Sequence, residues 1–142
     1  MSKRVSKELD ARVRQFGDNR CNYCLAPQTL ISYKLEVEHI LPTAKGGTGD
    51  EQNLCLACRE CNLHKAAKTH GFDFVTAKRV KLFNPRRQKW RRHFLFGADE
   101  TLIIGKTACG RATIAALHIN NELQVTARGF WRLTDLFPPR DF

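Results

Sequence analysis

Four cysteines stand in two pairs, Cys21-x-x-Cys24 and Cys58-x-x-Cys61, with 33 residues between the pairs. Each pair can offer two thiolates from one tight turn, and a tetrahedral zinc ion takes four. Six Cys in a chain whose first eight residues, Met1-Ser2-Lys3-Arg4-Val5-Ser6-Lys7-Glu8, lack the apolar core of a signal peptide point to metal ligation in the cytoplasm rather than to disulfides. The plain alternative is a set of buried free thiols. Cys55-x-x-Cys58 competes for Cys58, but Cys55 lies between Leu54 and Leu56, where a small core residue is the commoner use. Cys109 is isolated and reads as core. Four thiolates would close the coordination shell and leave no position for water. The zinc is therefore expected to be structural, and catalysis has to come from other residues.

Those other residues lie in the loop that the zinc would close and in the segment that closes it. They are Leu35-Glu36-Val37-Glu38-His39-Ile40-Leu41-Pro42, then Gly46-Gly47, then Asn53-Leu54, and finally Cys58-Arg59-Glu60-Cys61-Asn62-Leu63-His64-Lys65. An acidic residue before His-Ile-x-Pro, then Gly-Gly, Asn-Leu and Cys-x-x-Cys-Asn-x-x-Lys, in that order, resembles the HNH endonucleases of the ββα-metal (His-Me finger) superfamily. The likeness covers roughly residues 20–68. A weaker one extends further: Ile103-Ile104-Gly105, Gly110-Arg111-Ala112-Thr113 and Leu117-x-Ile119-Asn120 resemble the tail of some bacterial HNH proteins, which does not fix a substrate.

The resemblance implies roles that can be compared with chemistry. His39 aligns with the family's general base, and imidazole suits proton removal from water near neutral pH. Glu38 aligns with the acidic ligand of a catalytic divalent ion, Mg²⁺ or Mn²⁺, a position often held by Asp; the longer side chain alters the reach. Asn62 aligns with the last motif position, a ligand of the same ion, and Asn53 with a central scaffold residue. A divalent ion there would stabilise charge on the phosphate and on the leaving 3′-oxygen. The family implies 5′-phosphate and 3′-hydroxyl products. Beside Cys61, Asn62 would be held in place by the zinc.

Alternatives stay open at several positions. His64 competes with Asn62 as a ligand, but lies two residues on along a helix and so about 200° away. Glu36 shares a strand face with Glu38 and reads equally as a metal group or as part of an exposed acidic face. Lys65 reads equally as a phosphate contact or as a partner of Glu60. His70, His93 and His118 have no partner spacing and read as solvent-facing or core. Strand parity sets His39 with Leu35 and Val37, and Glu38 opposite. A regular strand would point base and ligand apart, so the assignment requires a twist or bulge near residue 39.

Charge bounds the partner. Lys plus Arg number 24 against 14 Asp plus Glu, a formal net charge of +10, which suggests a polyanion. The excess is uneven: +3 over residues 1–20, zero over 21–70 and +7 over 71–142. The densest stretch runs from Lys78 to Arg92. Its Lys78, Arg79, Lys81, Arg86, Arg87, Lys89, Arg91 and Arg92 are candidate nucleic-acid contacts, with Phe83 and Trp90 between them either to stack on bases or to anchor the segment. Such contacts carry no sequence information. No run of about 18 apolar residues exists, so no membrane span is expected.

These residues need elements to hold them. Val5, Leu9, Val13 and Phe16 space a helix over 5–16, with Gly17 after it. Residues 33–40 alternate as a strand, 53–57 form a second, and a helix runs on from Asn62. Pro42–Asp50, with its lone Pro and its glycines, is a loop. The sum is a ββα unit too small to stand without a metal staple. Further on, 93–96 and 101–104 read as a hairpin around 97–100. Thr107 caps a helix near 110–118, and Asn121 with Gln124 forms a capping box for one near 122–132. The expected fold is α+β: an HNH core with its N-terminal helix over 1–70, and a basic α/β extension over 71–142 packed on it. Two functions compete. One is a metal-dependent endonuclease acting on double-stranded DNA. The other is a zinc-stapled nucleic-acid-binding module without catalysis, which would have no need of Glu38, His39, Asn53 and Asn62 in motif order.

Overall fold

The computed structural model describes residues 5–140. The first four residues, which belong to the basic N-terminal arm and to the segment read for a signal peptide, lie outside the described residues, as do 141–142. Helix α1 spans Lys7–Phe16, and the Ser6 side chain caps it by accepting from the Leu9 N–H at 3.1 Å. Strands β1 (Glu36–His39) and β2 (Leu54–Ala57) pair antiparallel, with Glu36 opposite Ala57 and His39 opposite Leu54. Both are shorter than their sequence pattern implies. The loop between them turns on two glycines with different duties. Gly46 adopts φ 92°, a left-handed conformation open to glycine. A Cβ on Gly47 would lie 1.7 Å from the Leu41 carbonyl oxygen.

Helix α2 spans Arg59–Lys65 and starts before the expected Asn62. The cause is local. Cys58 is the N-cap residue, its sulfur accepting from the Cys61 N–H at 3.4 Å, so the second Cys-x-x-Cys turn is itself the first turn of the helix. Asn62 then lies in the second turn.

The region that sequence patterning read only as basic charge has structure of its own. Strands β3 (His70–Asp73) and β4 (Lys78–Lys81) form a hairpin, and the short helix α3 spans Trp90–His93. Strands β5 (Phe94–Phe96) and β6 (Ile103–Gly105) form the expected second hairpin. Helix α4 (Ala108–Leu117) is capped by the Thr107 hydroxyl and α5 (Glu122–Trp131) by the Asn121 side chain, as their sequences indicate.

One core runs through both halves. Phe83, Trp90, Phe94, Phe96, Trp131 and Phe137 pack ring against ring. The buried Trp90 indole donates to the Tyr23 carbonyl at 2.8 Å, and the Arg86 guanidinium donates to the Leu54 carbonyl at 2.8 Å. Phe83 and Trp90 therefore anchor the basic stretch and are not offered to bases. Their burial removes far more apolar surface from water than exposed stacking positions would. Among the described residues, no helix is long and apolar enough to cross a membrane.

Candidate metal centre and active site

The two Cys-x-x-Cys turns face each other. Cys21, Cys24, Cys58 and Cys61 are buried, and their four sulfurs all lie within 4.8 Å of one another, with Cys24 and Cys58 at 3.7 Å. Four thiolates around a tetrahedral zinc with bonds near 2.3 Å sit about 3.8 Å apart, so the cluster has the dimensions zinc needs. Each turn is built alike: the Cys24 N–H meets the Cys21 sulfur at 3.4 Å, as the Cys61 N–H meets that of Cys58. The loop carrying Cys21 is tied to β2 by Asn22, whose N–H donates to the Leu56 carbonyl and whose side chain accepts from the Leu56 N–H. Cys55 stays out of the cluster, and Cys109 is half-buried elsewhere.

On the face of β1 toward α2, strand and helix periodicities match. Glu36 and Glu38, two apart on the strand, meet Asn62 and Lys65, three apart on the helix. The Asn62 side-chain amide donates to Glu36 at 2.8 Å. Glu38 is buried and pairs with Lys65 at 2.6 Å; the Lys65 side chain is 1% exposed. The Lys65 ammonium also donates to the carbonyls of Ile40 at 2.9 Å and His39 at 3.2 Å, which employs its three protons. The other Glu38 oxygen accepts from the Tyr23 hydroxyl at 3.0 Å and the Cys55 thiol at 3.3 Å. Burial above all, then neighbouring negative charge, pushes both of those groups well above their ordinary pKa, so both stay protonated and donate.

Asn62 is brought to Glu36 and not to Glu38, whose two oxygens are occupied and whose nearest cation is an ammonium. A divalent ion does not fit between Glu38 and Asn62 in this arrangement. Lys65 pairs with neither Glu60 nor a solvent-exposed phosphate site. The signal for this was present: Glu36 and Glu38 on one strand face, and Asn62 and Lys65 one helical turn apart.

His39 ends β1. Its register with Leu54 is regular and the described strand has no bulge, so His39 and Glu38 point to opposite faces. His39 shares its face with Val37, Leu54 and Leu56, the face that α1 covers. Among the described residues nothing hydrogen-bonds its half-buried ring. Asn53 closes the same end of the hairpin: its side chain accepts from the Leu41 N–H and donates to the carbonyls of Leu41 and Thr48. His39 and Asn53 are thus brought to one end of the hairpin, and Asn62 is not. His64 turns away to stack on His118, ring centroids 4.4 Å apart.

A family model described as HNH endonuclease matches residues 21–68, from the first cysteine of the cluster to just past α2. Residues 21–68 are an HNH domain. Its bounds coincide with the ββα unit and enclose the four-cysteine cluster. No curated protein and no solved structure matches the chain. Of the basic residues that follow the HNH domain, Lys78, Arg79, Lys81, Arg87, Lys89, Arg91 and Arg92 are exposed. Arg86 is not available in the same way: its guanidinium lies 3.6 Å over the Phe16 ring while holding the Leu54 carbonyl.

Proposed function

We propose that this protein is an endonuclease that hydrolyses phosphodiester bonds of DNA, in duplex form, with His39 as general base. The observation that carries the reading is the HNH domain at residues 21–68, with the four-cysteine cluster in its motif positions. In this reading Zn²⁺ on Cys21, Cys24, Cys58 and Cys61 is structural, since four thiolates leave no position for water or substrate. Residues 1–70 are the nuclease core, and 71–142 are the extension that grips the substrate.

The chain's own groups divide the work. His39 takes a proton from the attacking water at the end of β1 as the water oxygen bonds to phosphorus; the P–O3′ bond breaks and the 3′-oxygen takes a proton from solvent, giving 5′-phosphate and 3′-hydroxyl ends. Lys65 pins the backbone of His39 and Ile40 through their carbonyls. Asn53 fixes the loop on the other side of His39, so it acts as a scaffold. Glu38 serves as the counter-charge of Lys65. Mg²⁺ or Mn²⁺ is the family's means of stabilising the leaving oxygen. Because Glu38 is occupied, no step is assigned to an ion held there. The exposed cations Lys78, Arg79, Lys81, Arg87, Lys89, Arg91 and Arg92 neutralise phosphates.

A second reading, a zinc-stapled nucleic-acid-binding module without hydrolysis, is favoured by one observation: the Glu38–Lys65 pair fills the position where the motif would hold an ion. The test is incubation of zinc-loaded protein with supercoiled plasmid, with Mg²⁺, with Mn²⁺ and with neither. Nicking that depends on an added ion and leaves ligatable 5′-phosphate ends is expected. DNA binding without cleavage under all three conditions would leave the binding module.

A further inference from the structure

The β3–β4 hairpin has two unlike faces. Gly71 and Asp73 face α4. A Cβ on Gly71 would stand 2.5 Å from the Ala112 carbonyl oxygen, so only glycine permits the approach. Asp73 is fully buried. It takes the Arg111 guanidinium on both oxygens at 2.8 and 3.1 Å, and accepts from the N–H groups of Val75 and Thr76 and from the Thr76 hydroxyl. One carboxylate thus fixes both the seat of the hairpin on α4 and the path of its tip.

The tip so fixed is apolar and bare. Phe74 is 79% exposed and Val75 73%; Phe72, on the outward face, is 44% exposed and meets the Phe74 ring edge-on at 4.8 Å. Directly across the hairpin from Phe72 stands Arg79, and across from His70 stands Lys81, both exposed. The outward face therefore carries rings and cations and no acid. His70 reports the field there. Burial first, then the charges of Arg79 and Lys81, draws its pKa below the ordinary value.

This face runs into a cleft of about 830 Å³ that ends at the HNH domain. Lys81 belongs to both. Beyond it the cleft is lined by Lys68, Arg87 and Asn84, and at the far end by Thr48 and Asn53, the residues that close the loop after His39. Among the described residues, Asp50 is the one acidic residue in its wall. Charge complementarity selects a polyanion for this track, and exposed rings at a braced tip select one whose bases are free to stack. In an intact duplex the bases are already stacked on one another, so these rings gain nothing from it.

We infer that the β3–β4 hairpin is a binding element for single-stranded nucleic acid: Phe74 and Phe72 stack on unpaired bases while Arg79 and Lys81 hold the adjoining phosphates and lead the strand along the cleft toward the loop that Asn53 closes. The inference rests on the reading that the chain acts on nucleic acid, and it adds an unpaired stretch to the substrate.

The test is fluorescence anisotropy with a labelled 12-nucleotide single strand and the matching duplex, without added Mg²⁺ or Mn²⁺, on the zinc-loaded full chain. Phe74 is exposed, so Phe74→Ala is expected to keep the zinc content and unfolding temperature of the wild type. It should weaken single-strand binding about tenfold, in line with the loss of one base–ring stack, and change duplex binding less than twofold. Phe74→Trp should restore the affinity. Arg79→Ala should weaken both ligands and reduce the salt slope by about one. Unchanged single-strand affinity in Phe74→Ala and Phe72→Ala would overturn the inference and leave the nuclease reading intact. Sedimentation showing a wild-type dimer that Phe74→Ala converts to monomer would also overturn it, assigning the tip to a second copy of the chain. Wild-type protein that binds neither oligonucleotide would overturn both readings.

Discussion

In the HNH domain the strands are four residues long, and what joins them to their helix is mostly polar: four cysteine sulfurs, the Asn62–Glu36 bond and the buried Lys65–Glu38 pair. In the extension the strands are as short, but apart from the Asp73–Arg111 pair that seats β3 on α4 the joints are mostly apolar. Phe83, Trp90, Phe94, Phe96 and Phe137 stack into one cluster, and small residues let α4 lie close on β3. Both regions share one buried core, so the contrast lies in the joints: sulfurs and an ion pair in the first, stacked rings in the second. The difference also sorts chemistry. Polar joints leave reactive groups at the hairpin, whereas the aromatic joints consume Phe83 and Trp90 as anchors and push the cations outward.

Removing the metal should break this contrast most severely. Structural zinc sites of this type contribute about 10–16 kcal/mol, so Cys61→Ser is expected to lose zinc and leave residues 21–68 unfolded, read by zinc stoichiometry and thermal unfolding. A variant without zinc that kept the wild-type melting temperature would show the staple to be dispensable. Next is the ion pair. Lys65→Met leaves a buried, uncompensated carboxylate and should cost about 3–5 kcal/mol in denaturant unfolding, while Glu38→Leu with Lys65→Met should recover most of it. Comparable loss in the double variant would mean that packing, not charge, is at stake there.

On the aromatic side, Phe94→Ala should cost about 3 kcal/mol or more while the folded fraction still carries one zinc. Loss of zinc from that folded fraction would show that the two regions do not hold themselves separately. The smallest effect concerns pH. The Arg111 guanidinium, followed by the Thr76 hydroxyl, holds the Asp73 carboxyl well below the ordinary carboxylate range. Its folded-state pKa is lowered, so its contribution is fully present above the unfolded value, about 3.9, and is lost as pH falls through the folded one. The stability difference between wild type and Asp73→Asn should therefore be constant at neutral pH and shrink below about pH 4. A difference that grew in acid would contradict the pairing.

The polar region was the legible one. Two Cys-x-x-Cys turns, the alternation of Glu36 to His39 and the Gly-Gly loop each carry a local constraint, so zinc geometry, hairpin and helix all follow from neighbours in sequence. Even there the legibility stopped at pairing. The resemblance to HNH endonucleases set Glu38 beside Asn62, whereas the crossing of β1 and α2 pairs Asn62 with Glu36 and Lys65 with Glu38. The cap residues Thr107 and Asn121 were readable because a cap acts within three residues. The β3–β4 hairpin was not, because its register depends on α4, whose Arg111 lies 38 residues beyond Asp73. Without that partner, Lys78–Lys81 shows only its charge.

Catalysis by the HNH domain turns on His39, a half-buried imidazole at the end of a regular strand. The direct measurement is plasmid nicking by His39→Ala, shown to hold one zinc per chain and to bind DNA with wild-type affinity, beside the wild type in Mg²⁺ and in Mn²⁺. Nicking is expected to fall by at least about a hundredfold in the variant, as loss of a general base does, while binding persists. Equal nicking by the two proteins would contradict it and remove His39 from the chemistry.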